Sequence, residues 1–170
     1  MIESTKKTIH VRIVSQEEEV FSGEALVVFC RSEGGDLGIY PNHSPLLSLI
    51  RPGAVRIQLS PGSHAKASSE KPQSVESLES SASSENLVLY VSGGILEVQP
   101  TMVSILADVI ERPQDVNQFE AEEAIAAARA MLSSSDFKSQ DSDSAVSYYQ
   151  AFQNIAEASA KLRVLGLSRD

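Results

Sequence analysis

Asp36, His43 and Ser44 are the residue types of a hydrolytic triad, and they fall within one short stretch, Gly34 to Ile57, GGDLGIYPNHSPLLSLIRPGAVRI. A triad is defined by geometry: the serine must hydrogen-bond the histidine and face donors for an oxyanion. Pro41 and Pro45 pin Asn42, His43 and Ser44 into a loop, and no strand-turn-helix elbow surrounds Ser44, so adjacent residues would have to point at one another. Hydrolysis is disfavoured. A metal site built on His10, His43 and His64 is disfavoured too, because the three sit in separate segments without ligand spacing. Cys30 is the only cysteine, which rules out an intramolecular disulfide and a multi-cysteine zinc site. It lies in the apolar run Ala25-Leu26-Val27-Val28-Phe29-Cys30 and reads as an inert, buried thiol. What remains for the 34–57 stretch is recognition, with a polar loop presented by tight turns.

Those turns belong to β-structure. Gly34, Gly35 and Gly38 permit positive φ, and Pro52-Gly53 makes a further turn. Ile9, Val11 and Ile13 alternate with His10, Arg12 and Val14, the period of a half-buried strand. Similar short runs at 24–31, 53–59, 86–92, 94–99 and 102–107 predict a sandwich or barrel over residues 1–112. Residues 60–86 break the pattern with ten serines and scattered apolar positions, and are expected to form a mobile loop.

After Arg112-Pro113 the period becomes helical. Val116, Phe119, Ala124, Ala127, Ala128, Met131 and Leu132 form an alanine-rich stripe, with Asn117 as N-cap and Glu120 in the capping-box position. A polar break at 133–143 leads to a second helix from about 143 to Gly166, with Tyr148, Tyr149, Phe152, Ile155, Ser159, Leu162 and Leu165 near one face. Small residues on both helices predict close antiparallel packing, so residues 113–170 should be a helical hairpin.

The chain of 170 residues carries a net charge of −9, which argues against a phosphate-backbone partner, so no nucleic acid is expected. No apolar run approaches the roughly 20 residues of a spanning helix, and a soluble, cytoplasmic protein is expected.

Four ordered blocks resemble a known family. The Gly34–Leu47 block has the form G-acidic-L/I-G-I-x-P-x-H-x-P-L-L. It is followed by Ser92-Gly93-Gly94-Ile95-Leu96-Glu97-Val98-Gln99-Pro100, by Leu106-Ala107-Asp108, and by Leu162-Arg163-Val164-Leu165. Together they are similar to the epsilon subunit of bacterial F-type ATP synthase. The resemblance implies a flattened β-sandwich followed by an antiparallel α-helical hairpin, no catalytic residues and no required cofactor. It implies a rotor subunit on the cytoplasmic face of the inner membrane, touching the membrane only through the complex. Its partners would be the gamma subunit, the c-ring and, through the C-terminal helices, the alpha and beta subunits.

Carried over residue by residue, the resemblance makes Asp36 and His43, with Tyr40 and Asn42 beside them, the c-ring docking residues. Relative to that family, residues 60–86 contain an insertion of roughly twenty residues, tolerable because loop closure costs little with length. Some members bind ATP through a motif I/L-D-x-x-R-A, but here it reads Val116-Asn117-Gln118-Phe119-Glu120-Ala121. The arginine is replaced by Glu120, which repels phosphate, so weak or no ATP binding is expected. The second helix is implied to restrain ATP hydrolysis, with Lys161 and Arg163 as cations and Phe152, Ile155, Leu162 and Leu165 as apolar contacts; Arg129 and Lys138 are further cations on or after the first helix. From Asp115 to Asp170 there are nine acidic and five basic residues, a net of −4, so any attraction to an acidic partner is local. The alternatives are a stand-alone β-sandwich binding module and a small hydrolase using His43 and Ser44.

Overall fold

The computed structural model describes residues 7–60, 86–133 and 142–167, the side chains of 142–145 excepted. The serine-rich 60–86 stretch, His64 and Lys138 therefore lie outside it, apart from Ser60 and Asn86.

Among the described residues, nine strands form one hydrogen-bonded network: β1 (Ile9–Val14), β2 (Glu19–Ser32), β3 (Gly35–Ile39), β4 (Leu46–Ile50), β5 (Gly53–Leu59), β6 (Asn86–Val91), β7 (Gly94–Gln99), β8 (Met102–Leu106) and β9 (Ile110–Glu111). The network folds over on itself because β1 pairs with both β8 and β2, while β2 also pairs with β3, β4 and β5. One layer carries β8, β7 and β4; the other carries β3, β5, β6 and β9, with the 14-residue β2 joining them. The expected sandwich is what the strands build. Among the described strands, β1 and β8 alone run parallel.

Period-two alternation puts Ile9, Val11 and Ile13 at 0% exposure inside the sandwich, facing Val55, Ile57, Leu96 and Val103 across one apolar core. Burying a side chain of this size contributes about 1.5–3 kcal/mol, and this aliphatic cluster is the main source of stability. Cys30 belongs to it, and burial pushes its thiol up to about 11, which keeps it protonated and inert at neutral pH.

A 3-10 turn (Pro113–Asp115) leads into α1 (Gln118–Ser133) and α2 (Ser142–Leu167). The Asn117 carboxamide oxygen accepts from the backbone N–H groups of Phe119 (3.1 Å) and Glu120 (3.3 Å), so the N-cap forms as expected. The stripe of α1 differs from the expected one. Ala121, Ile125, Ala128 and Leu132 face inward, while Phe119 and Met131 are exposed, as are Ala124 and Ala127. The reason is the partner: α2 offers Ala151 and Ala158, and helices approach closely only where both faces are small. Large apolar residues are displaced to the rim.

Helix α2 also lies on the sandwich. Ala160 and Val164 pack with Val88 and Tyr90 of β6 and Ala54 of β5 in a second, smaller cluster separate from the main core.

Candidate functional site

The Asp36–His43 block is built from the β2–β3 hairpin and the loop after it. Ser32 closes the hairpin turn: its hydroxyl donates to the Gly35 carbonyl at 2.9 Å and accepts from the Gly34 N–H at 3.2 Å. Of the three glycines expected to allow positive φ, Gly35 uses it, at 127°. Asp36 then pairs across the strands with Arg31, whose Nε donates to its carboxylate at 2.9 Å. That hydrogen bond, with the charges of Arg31 and Arg56, holds the Asp36 carboxyl below its ordinary range. The Arg31–Asp36 pair is therefore complete at neutral pH and is lost only as pH falls through that lowered value.

At the far end of β3, Asn42 adopts a left-handed φ of 65° and its N–H reaches the Pro100 carbonyl at 2.8 Å, tying the loop to the β7–β8 turn. His43 Nδ1 donates to the Ser44 carbonyl at 2.8 Å, and Tyr40 is 57% exposed. The ring is thus committed to the backbone oxygen of Ser44, and the Asp36 carboxylate to Arg31. That arrangement is incompatible with a triad. Tyr40, Asn42 and His43 come together, whereas Asp36 stands about 13 Å away along β3, at roughly 3.3 Å per residue. Among the described residues no cluster of His, Cys, Asp and Glu could hold a metal, and His10 is engaged with Glu24 at 3.1 Å.

Lys161 is engaged: its Nζ donates to Glu111 at 2.6 Å with both side chains mostly buried, and it lies 5.2 Å from the centre of the Tyr90 ring. Arg163 is exposed, Phe152 is 54% exposed, and Ile155, Leu162 and Leu165 are half-buried. In this docked position Lys161 fastens the helix to the sandwich.

Asn117, Glu120 and Ala121, of the stretch compared above with an ATP motif, line a cleft of about 310 Å³ between the start of α1 and α2. Glu111, Asp115, Glu120 and Glu157 line it against the single cation Lys161, already neutralised by Glu111. A triphosphate entering here meets uncompensated carboxylates. Titration calorimetry with Mg-ATP should give no saturable binding below about millimolar, a level worth roughly 4 kcal/mol; tight stoichiometric binding would contradict this.

One feature escaped the sequence. Leu49 of β4, Ile95 of β7 and Leu106 of β8 are register partners and are 52%, 45% and 52% exposed, with Leu47 beside them at 73%. They form an apolar row across the outer face of the layer that the hairpin leaves uncovered, since α2 lies over β5 and β6. The sequence signal is that β4 is apolar at its outward positions Leu47 and Leu49 as well as inward, whereas on β7 only Ile95 among the outward positions is apolar, beside Glu97 and Gln99.

Residues 8–68 match the family described as ATP synthase, Delta/Epsilon chain, beta-sandwich domain. The ATP synthase epsilon chain of Thioalkalivibrio sulfidiphilus is 35% identical over 158 residues, covering 93% of this chain and 92% of that protein. That of Janthinobacterium sp. is 37% identical over 158 residues, covering 93% of each. In fold, the chain is similar to one from the Euglena gracilis mitochondrial ATP synthase, at a TM-score of 0.65 and 15% identity over 91% of this chain and 81% of that one. It is also similar to one from the central stalk and c-ring of the Tetrahymena thermophila enzyme, at 0.52 and 14% over 95% and 99%. With 35–37% of the aligned residues identical along nearly the whole length of these relatives, and with a sandwich and helical hairpin in the order the resemblance implied, the protein belongs to the ATP synthase epsilon chain family.

Proposed function

We propose that this chain is a non-catalytic rotor subunit of the central stalk of a proton-translocating ATP synthase, working at the membrane surface on the cytoplasmic side. Its sandwich sits between the gamma subunit and the c-ring, and α2 restrains ATP hydrolysis when it leaves the sandwich for the catalytic head of alpha and beta subunits.

The observation that carries the docking role is the Leu49–Ile95–Leu106 row. An exposed apolar row of this kind across a sheet face is a surface suited to another protein. We assign it to gamma, with Tyr40, Asn42 and His43 at one end of β3 and Asp36 at the other as polar contacts to the ring. Replacing Leu49 and Ile95 together with aspartate leaves the core untouched, because both side chains point outward. It should weaken co-purification with gamma at least about tenfold, a loss of about 1.4 kcal/mol. Unchanged recovery of the complex would move the gamma contact elsewhere.

The regulatory role rests on how lightly α2 is docked. Among the described residues, Ala160 and Val164 are what the helix brings to the second cluster, an apolar contribution on the order of 3 kcal/mol beside the Lys161–Glu111 contact. A difference of about 5.5 kcal/mol between two ligand affinities moves a population from 1:99 to 99:1, so a competing site on the head needs no exceptional affinity to draw the helix away.

A further inference from the structure

A second cleft, of about 440 Å³, opens between the end of α2 and the sandwich face formed by β2, β3 and β5. Its polar lining is three guanidinium groups, Arg31, Arg56 and Arg163, against one carboxylate, Asp36. In a chain of net charge −9 this is a local inversion of sign. Arg31 gives one of its N–H donors to Asp36, and Arg56 lies 5.1 Å from the centre of the Phe29 ring. Among the described residues, neither Arg56 nor Arg163 is in an ion pair within 4 Å, although the charge of Arg56 is felt at Asp36. Leu37, Ala54 and Leu167 supply apolar walls, which strengthen any charge interaction made beside them.

We propose that this cleft binds a small phosphate-type oxyanion, and that the bound anion fastens α2 in its docked position. Guanidinium groups brought to one cleft from β2, β5 and α2 repel one another. A tetrahedral dianion relieves that repulsion and presents several oxygens to planar donor forks, which a single carboxylate does not. The cleft is larger than one phosphate, so it admits a diphosphate or a phosphate carrying a small organic group. Because Arg163 comes from the helix and Arg56 from the sandwich, the complete site exists only when α2 is docked. Ligand at a hundredfold excess over its Kd should then shift the docked-to-undocked ratio about a hundredfold. This cleft is separate from the acidic one beside Glu120, whose lining opposes phosphate.

Pyrophosphate and, separately, inorganic phosphate titrated into the full chain at low ionic strength provide the test, by calorimetry and by amide hydrogen exchange of α2. The expected result is one saturable pyrophosphate site, weakened roughly tenfold or more by Arg56→Gln and by Arg163→Gln. Arg12→Gln should leave it unchanged, since Arg12 is paired with Glu19 outside the cleft. Exchange of α2 should slow when the site is filled. Saturation by pyrophosphate alone would assign a diphosphate, and equal binding of both anions a single phosphate group. No binding of either at millimolar concentration, or binding indifferent to both cleft variants, overturns the site. Binding that leaves α2 exchange unchanged overturns the fastening. None of these readouts depends on ATP hydrolysis or on gamma, so they stand or fall apart from the stalk function.

Discussion

Replacing Gly94 with alanine should destabilise the folded chain by about 3 kcal/mol or more, among the largest single-residue effects available outside the core. Gly94 opens β7 with a φ of 137°, which side chains rarely adopt. A Cβ there would also collide with the Leu106 carbonyl oxygen and press on Ala107 at 3.0 Å. Gly94 pairs with Ile50 on β4, and its neighbour Ile95 pairs with Leu106 on β8, so neither flanking strand can retreat without losing a ladder. The measurement is the urea midpoint against a control, Gly166→Ala, where nothing lies within 4 Å. The control should change stability by no more than about 1 kcal/mol. Equal midpoints for the two variants would mean that β7 and β8 do not meet in this register.

Val164→Asp should release α2 while leaving the sandwich folded. Val164 is at 0% exposure against Val88 and Tyr90, and an aspartate there would be buried beside a cation, Lys161, that is already paired with Glu111. The cost is about 3 kcal/mol, comparable to the whole apolar contribution of the docking cluster, so docking should be lost. The main core draws every buried member from residues 9 to 107 and takes none from α2, so its unfolding should be nearly unaffected. Hydrogen exchange in α2 should rise roughly a hundredfold, the equivalent of about 3 kcal/mol, with strand protection retained. Unchanged α2 exchange would show that the cluster does not hold the helix. Lys161→Met tests the same dock more gently, because the Glu111 contact is lost while the apolar stem stays in place.

The sandwich was legible because strand alternation is local: Ile9, Val11 and Ile13 declare their inward face within one strand. The N-cap at Asn117 is local for the same reason. Features assembled over distance were not legible. Lys161 reads as a free cation until Glu111, 50 residues earlier, is placed beside it. The Leu49–Ile95–Leu106 row belongs to three strands, and no window along the chain contains it. Asp36 and His43 look like neighbours in sequence, but an extended strand separates what a turn would have joined. Apolar size suggests burial for Phe119 and Met131 on α1, whereas the contact with α2 selects Ala121 and Ala128. The arginines of the larger cleft are spread over positions 31, 56 and 163.

In the proposed function, the second helix restrains the enzyme while the sandwich anchors the chain in the stalk. ATP hydrolysis by the assembled complex, measured with the full chain and with a chain lacking residues 135–170 at equal occupancy, tests it most directly. Faster hydrolysis with the shortened chain, still bound through its sandwich, is the predicted result. An unchanged rate at equal occupancy would contradict it.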